Sequence, residues 1–208
     1  MSEFTAGSLT IQRYKTQLGE LNPGYIRDLN DKWVLFMTAD TEVGEELPEQ
    51  VRMLSAAMPV LYFYNFEDHA WGYRIVNQGE ELAALHVSYE LKDEFILKLA
   101  AERYPDEDLF ERVYVDPSQT VYNQLAQEIN GWPSYEEAVA NQFANRNVEQ
   151  FRWFEVDDAG IEQLRAILNA DYYRTLGSYR QLVREFKELL DMKEMSWIRY
   201  DDLGRRDR

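Results

Sequence analysis

The sequence predicts an α+β fold: a central antiparallel β-meander over about residues 59–90, with flanking helices and a C-terminal third that is mainly helical. Three observations predict it. Residues 59–66 are aromatic and β-prone almost without polar interruption. Two further β-prone runs flank a short turn at residues 78–79, and beyond about residue 90 apolar residues recur at helical spacing.

The strand signals lie in the middle of the chain. The near absence of polar positions in residues 59–66 is typical of a central strand covered on both faces. Residues 71–77 and 80–90 form the next two strands, because Gly79 supplies the positive φ that a tight hairpin turn requires. Upstream, the apolar run at 32–39 fits either a buried strand or a short helix, and we favour the strand.

Helix signals follow on both sides of the meander. Pro48 suits the first turn of a helix that runs to about residue 58. A second helix opens at Asp93 and should end before Pro105, since the residue preceding a proline disfavours helical geometry. Between this helix and the C-terminal third, residues 113–115 suggest a small strand.

Capping patterns mark the helices of the C-terminal third. Ser134 with Glu137, and Ser178 with Gln181, each match the capping box that opens a helix. The carboxylate pairs Asp106/Asp108, Asp157/Asp158 and Asp201/Asp202 are only weak indications of metal sites or acid–base dyads. The first two pairs precede helical segments, so helix capping explains them more simply.

The length and composition predict one ordered globular domain over residues 1–208, with mobile termini at 1–10 and 201–208. The 14 tyrosines, 10 phenylalanines and 5 tryptophans supply a core that disordered chains lack. The N-terminus does not match a secretory signal, and the apolar stretches are too short to cross a bilayer. The expected location is cytoplasmic, without membrane contact.

Charge and cysteine content narrow the possible functions. The chain holds 38 acidic and 22 basic residues, a net charge of −16, which opposes binding to nucleic acid. The absence of cysteine excludes thiolate nucleophiles, iron–sulfur clusters and cysteine-based zinc sites. The acidic surface is interpreted either as an aid to solubility or as a docking face for a basic protein partner.

The familiar fingerprints of nucleotide-binding, hydrolase and metalloprotease sites are absent, and the catalytic residues and cofactor, if any, stay unknown. The two histidines, His69 and His86, both fall in the predicted hairpin region. A two-residue loop would pair Trp71 with His86 and place the imidazoles on one sheet face, with Cβ atoms roughly 7–8 Å apart. Glu67 or Asp68 in the preceding turn would complete a two-histidine, one-carboxylate set that suits Zn²⁺ or Fe²⁺.

Two alternatives stand beside this metal site. A three-residue loop would shift the register and move the histidines to opposite faces, and both histidines could equally be structural residues that hydrogen-bond to the backbone.

Separately, Trp71, Tyr73 and Arg74 are candidate ligand-binding residues, because aromatic rings and a guanidinium supply stacking and anion contacts. Core packing of the two aromatics is the simpler interpretation.

Two functions remain open. The first is a non-enzymatic interaction protein that binds a basic protein partner, for example of the bacterial immunity or anti-effector type. The second is a metal-dependent or small-molecule-binding enzyme with its site on the 67–88 hairpin. Homo-oligomer formation through the amphipathic C-terminal helices is compatible with either.

Overall fold

The computed structural model describes residues 4–40, 44–66, 68–115 and 117–199. Within these ranges, six strands form one antiparallel sheet in the order β2-β3-β1-β4-β5-β6. The strands are β1 (Phe4–Ile11), β2 (Tyr25–Asp28), β3 (Trp33–Met37), β4 (Val60–Phe66), β5 (Ala70–Asn77) and β6 (Glu80–Ser88). The α-helices are α1 (Lys15–Leu21), α2 (Glu49–Leu54), α3 (Leu91–Arg103), α4 (Thr120–Ile129), α5 (Pro133–Asn141), α6 (Asp158–Ile167), α7 (Ala170–Thr175) and α8 (Tyr179–Leu189).

The structure confirms the α+β prediction: the sheet comes from the N-terminal part, and the region after β6 is mostly helical. The predicted meander corresponds to β4, β5 and β6, and the favoured strand at 32–39 corresponds to β3. As expected for a central strand, every residue of β4 is buried. None of the described helices is long and apolar enough to cross a membrane.

Most of the N-terminal segment predicted to be mobile, 1–10, lies in a strand. Phe4–Ile11 forms β1, a buried strand that pairs with β3 on one side and β4 on the other. The ladder with β3 begins only at Ser8, and the chain near Ile198 covers the rest of that edge, since Ala6 N–H donates to the Ile198 carbonyl at 3.0 Å. The small and polar residues of β1 do not form a pattern that predicts a strand. The strand instead forms by pairing with segments that are distant in the sequence. The predicted mobile C-terminus, 201–208, lies outside the described residues.

Aromatic rings join the inner face of the sheet to the C-terminal helices. Phe186 of α8 lies between Tyr73, Trp71 and Phe63, with ring centroids 5.3, 5.2 and 6.2 Å away. Phe151, in the 3₁₀ helix Val148–Phe154, closes this cluster at 5.7 Å from Phe186. The main core therefore lies between the sheet and the segment from 148 onward.

The outer face of the sheet has a different cover. Near β3, helices α1 and α2 contribute Leu18 and Val51 to a small apolar cluster that includes Phe36. Near β4, Tyr62 and Tyr64 lie on this face and are almost completely buried. The hydroxyl groups of these two tyrosines form hydrogen bonds with Gly44 and His86 in the candidate site region described below.

The structure confirms most of the predicted capping residues of the helical region. Asp157 caps α6 by accepting a hydrogen bond from the Gly160 N–H, and Ser178 caps α8 by accepting one from the Arg180 N–H. Ser134 does not cap α5, because that helix already begins at Pro133. The predicted strand at 113–115 is wrong: these residues belong to a π-helical turn, Glu111–Val115. Its buried Val113 joins a core formed with α3 and α4.

Replacing Phe186 by alanine should lower the free energy of unfolding by about 3–5 kcal/mol, because it opens a cavity between the sheet and α8. Phe110→Ala is the matched control, since the Phe110 side chain is 67% exposed, and should change the free energy by less than about 0.5 kcal/mol. Urea unfolding measures both. Equal losses of unfolding free energy in the two variants would contradict the central role of Phe186.

Candidate binding site on the outer face of the sheet

The β5–β6 hairpin has the predicted turn but not the predicted register. Asn77 pairs with Glu80 across Gln78 and Gly79, whose φ angles are 54° and 81°. A β-bulge then inserts Leu82 into β6, so that His86 pairs with Gly72 and not with Trp71. Because side chains alternate along a strand, this one-residue shift moves His86 to the outer face.

The two histidines consequently have separate surroundings. His69 precedes β5, and its Nδ1 lies 2.9 Å from Glu90 Oε1. His86 Nδ1 lies 2.8 Å from Tyr64 Oη. The described residues contain no group of three or more histidine, aspartate or glutamate side chains placed to hold a metal ion.

Glu67, the third predicted ligand, lies outside the described residues. Metal binding by Glu67, His69 and His86 therefore stays a prediction. The register that suggested it, with Trp71 opposite His86, is wrong.

The three predicted ligand residues lie on two faces. Trp71 and Tyr73 point into the inner core, are fully buried and pack against Phe186. The Tyr73 hydroxyl donates to the Arg146 carbonyl at 2.5 Å. Arg74 lies on the outer face. The structure thus does not bring the three together in one groove, and ligand binding by them stays a prediction.

On the outer face, Tyr64 reaches across Gly72 to His86. The three residues occupy neighbouring positions on β4, β5 and β6. A Cβ atom at position 72 would overlap the Tyr64 phenol and the Leu85 carbonyl oxygen. Glycine is therefore required there, because only a residue without a side chain leaves room for the tyrosine ring.

Burial raises the pKa of Tyr64 well above its usual value, and the negative charge of Glu45 raises it further. The phenol thus stays protonated and forms a hydrogen bond with His86 Nδ1, in which the imidazole tautomer determines the donor. This arrangement holds the ring in place and leaves Tyr64 a poor base.

Outer-face side chains anchor the loop at residues 44–46. The Tyr62 hydroxyl donates to the Gly44 carbonyl at 2.8 Å, and Arg74 Nε donates to the Glu45 carbonyl at 3.1 Å. Arg74 also forms an ion pair with Glu81 at 2.7 Å. The Glu45 carboxylate lies 3.5 Å from His86 Nδ1. The loop backbone is therefore attached to the sheet by hydrogen bonds.

This anchored loop forms an acidic cleft of about 500 Å³, defined by the seven lining residues Asp40, Gly44, Glu45, Glu46, Leu47, Pro48 and Glu49. Four of these carry carboxylates, and none of the described lining residues is lysine or arginine. Asp40 is held in position because it accepts hydrogen bonds from the Thr38 hydroxyl and the Gln50 N–H. The cleft thus presents negative charge on a backbone that hydrogen bonds attach to the sheet.

The sequence analysis did not predict a site here, although one part of it can be seen in the sequence. The acidic stretch is visible in the sequence, where residues 40–50 carry five acidic residues and no basic one. Its attachment to the hairpin was missed, because Tyr62, Tyr64 and Arg74 lie in strands with no local link to it. The closest available signal was Gly72, a glycine inside a strand, which marks close approach of another group.

Comparisons with protein-family models, curated proteins and solved structures find no match for this chain.

Gly72→Ala should lower the free energy of unfolding by about 3 kcal/mol, because the new methyl group displaces the Tyr64 ring from His86. Gly19→Ala is the control: nothing lies within 4 Å of the added methyl group, and alanine favours the helix. That variant should be unchanged or more stable by up to about 1 kcal/mol. Similar losses in both variants would contradict the close packing at Gly72.

Tyr64 should also make stability depend on alkaline pH. Its folded-state pKa is raised, so its contribution is complete below the unfolded value of about 10 and is lost as pH rises above it. Between about pH 9 and pH 11, the parent should lose roughly 1 kcal/mol more unfolding free energy than Tyr64→Phe. Urea unfolding at both pH values measures this difference. A constant difference would show that the phenol ionises equally in both states.

Proposed function

We propose that the protein is a non-enzymatic binding protein whose acidic cleft receives lysine or arginine side chains of a basic protein partner. The observation that carries the proposal is the set of four carboxylates, Asp40, Glu45, Glu46 and Glu49, lining one cleft on an anchored backbone. A bacterial immunity or anti-effector protein, which acts by binding a partner, is one form of this function.

The local charge balance supports a cationic partner. The hairpin tip adds Glu80 and Glu81, and Gly79 beside them accepts a hydrogen bond from Arg52 of α2. Arg74 is already engaged with Glu81, and Arg52 lies 3.8 Å from Glu49. The surface therefore keeps an excess of negative charge, which attracts and orients a basic partner.

An exposed apolar side chain adds to this surface. Met53 is 68% exposed and lies four residues after Glu49 in α2, so both occupy the same helix face. Methionine adapts its shape to different contacts and is enriched at interfaces. The partner is expected to place an apolar group near Met53 beside its basic residues.

A labelled oligolysine peptide tests the cleft directly, with fluorescence anisotropy as the measurement. We expect binding that weakens as salt is added, because the charges are exposed. The triple variant E45Q/E46Q/E49Q should weaken binding about tenfold, since three exposed pairs contribute roughly 0.5 kcal/mol each.

The matched control is E20Q/E102Q/E137Q, which removes the same net charge from exposed positions on α1, α3 and α5. This variant should bind the peptide within about twofold of the parent. Equal weakening in the two triple variants would show that only net charge matters and would contradict a site in the cleft.

A further inference from the structure

Helices α3, α4 and α5, with the π-helical turn Glu111–Val115, form a unit with its own apolar core. Buried residues of this core include Ile96, Leu125 and Val113. The main core forms without it, because the segment from 148 onward covers the inner face of the sheet. The unit, residues 91–141, holds eleven acidic and four basic residues. It is therefore an acidic addition to the sheet and its covering helices.

The unit exposes an apolar patch, defined by Phe110 and Val115. Phe110 is 67% exposed and Val115 is 55% exposed. The half-buried Tyr114 supports the patch from below, since its ring centroid lies 5.9 Å from that of Phe110. An exposed phenylalanine forgoes roughly 1.5–3 kcal/mol of burial free energy that a partner would recover.

The two exposed side chains border the wide turn: Phe110 directly precedes it, and Val115 is its last residue. In a π-helical turn the hydrogen bonds join residues five apart and not four apart as in an α-helix. Such turns occur frequently at functional sites.

Exposed carboxylates lie close to Phe110 along the chain. Asp106, Asp108 and Glu111 are exposed, and within the described residues none of them forms an ion pair. The one basic residue of this segment, Arg112, is used internally: it lies 3.3 Å from Glu107 and 5.0 Å from the Tyr104 ring centroid. The rim of the patch therefore carries uncompensated negative charge.

We infer that the Phe110 patch is a second interaction surface, which inserts Phe110 into an apolar pocket of a protein partner rimmed by lysine or arginine. Aromatic anchors that enter a pocket dominate the energy of protein interfaces, and rim charges determine which partner is accepted. A second copy of this chain fits poorly, because its net charge of −16 repels the acidic rim. The surface is separate from the acidic cleft and does not depend on it.

A short amphipathic helical peptide of leucine and lysine is the probe, and its binding to the full chain is measured by fluorescence anisotropy at physiological ionic strength. Phe110→Ala should weaken binding about tenfold or more, whereas Phe110→Trp should restore it. A peptide of the same lysine pattern with serine in place of leucine should bind more weakly and should not distinguish Phe110→Ala from the parent.

Leu21→Ala is the matched control, because the Leu21 side chain is also exposed, at 42%, and lies at the end of α1, outside the cleft lining and the 91–141 unit. It should leave the affinity for the leucine–lysine peptide within about twofold of the parent. The inference is overturned if the parent does not bind the peptide, if Phe110→Ala binds as the parent does, or if Leu21→Ala weakens binding equally. The triple variant E45Q/E46Q/E49Q tests the cleft separately. The experiments can therefore contradict one of the two proposed surfaces without contradicting the other.

Discussion

The packing of Phe186 against the inner face of the sheet determines how the rest of the molecule is arranged. Its ring is parallel to that of Tyr73, with 1° between the planes, and it also contacts rings of Trp71 and Phe151. Because β5 supplies two of these rings, the hairpin has one possible orientation: Trp71 and Tyr73 inward, Gly72 and Arg74 outward. This orientation determines which side chains of the hairpin lie on the outer face.

The same helix holds the end of the described chain. Lys187, next to Phe186, donates from Nζ to the Met195 carbonyl at 3.0 Å and to the Ser196 hydroxyl at 2.7 Å. The Trp33 indole N–H donates to the Leu190 carbonyl at 2.6 Å. The sheet, α8 and the segment that covers the edge of β1 are thereby joined, so the N-terminal and C-terminal parts of the chain stabilise each other.

The outer face combines features that no single segment contains. Tyr64, Gly72 and His86 meet beside the acidic loop. Burial keeps the Tyr64 phenol neutral, and Gly72 has no room for a methyl group. The backbone of that loop accepts hydrogen bonds from Tyr62 and Arg74. The carboxylates are consequently presented on a fixed frame, which reduces the ordering cost when a charged partner binds.

The sequence predicted the meander, the hairpin turn and most helix starts, because these depend on local patterns. Asn77 and Glu80 pair as expected around Gly79. The register predicted beyond the turn is wrong, because the bulge at Leu82 adds one unpaired residue that the sequence pattern does not mark. The candidate metal site depended on that register, and β1 was missed because both of its partners are distant.

By itself, the sequence determined the acidic charge, the absence of thiol chemistry, the alternation of strand side chains and the ends of helices at caps and prolines. These properties belong to single residues or to neighbours within a few positions. Only the tertiary structure decided that His86 meets Tyr64, that the acidic loop lies on the hairpin and that Phe110 stays exposed. Each of these depends on contacts between distant segments, where one inserted residue or one buried ring changes which side chains meet.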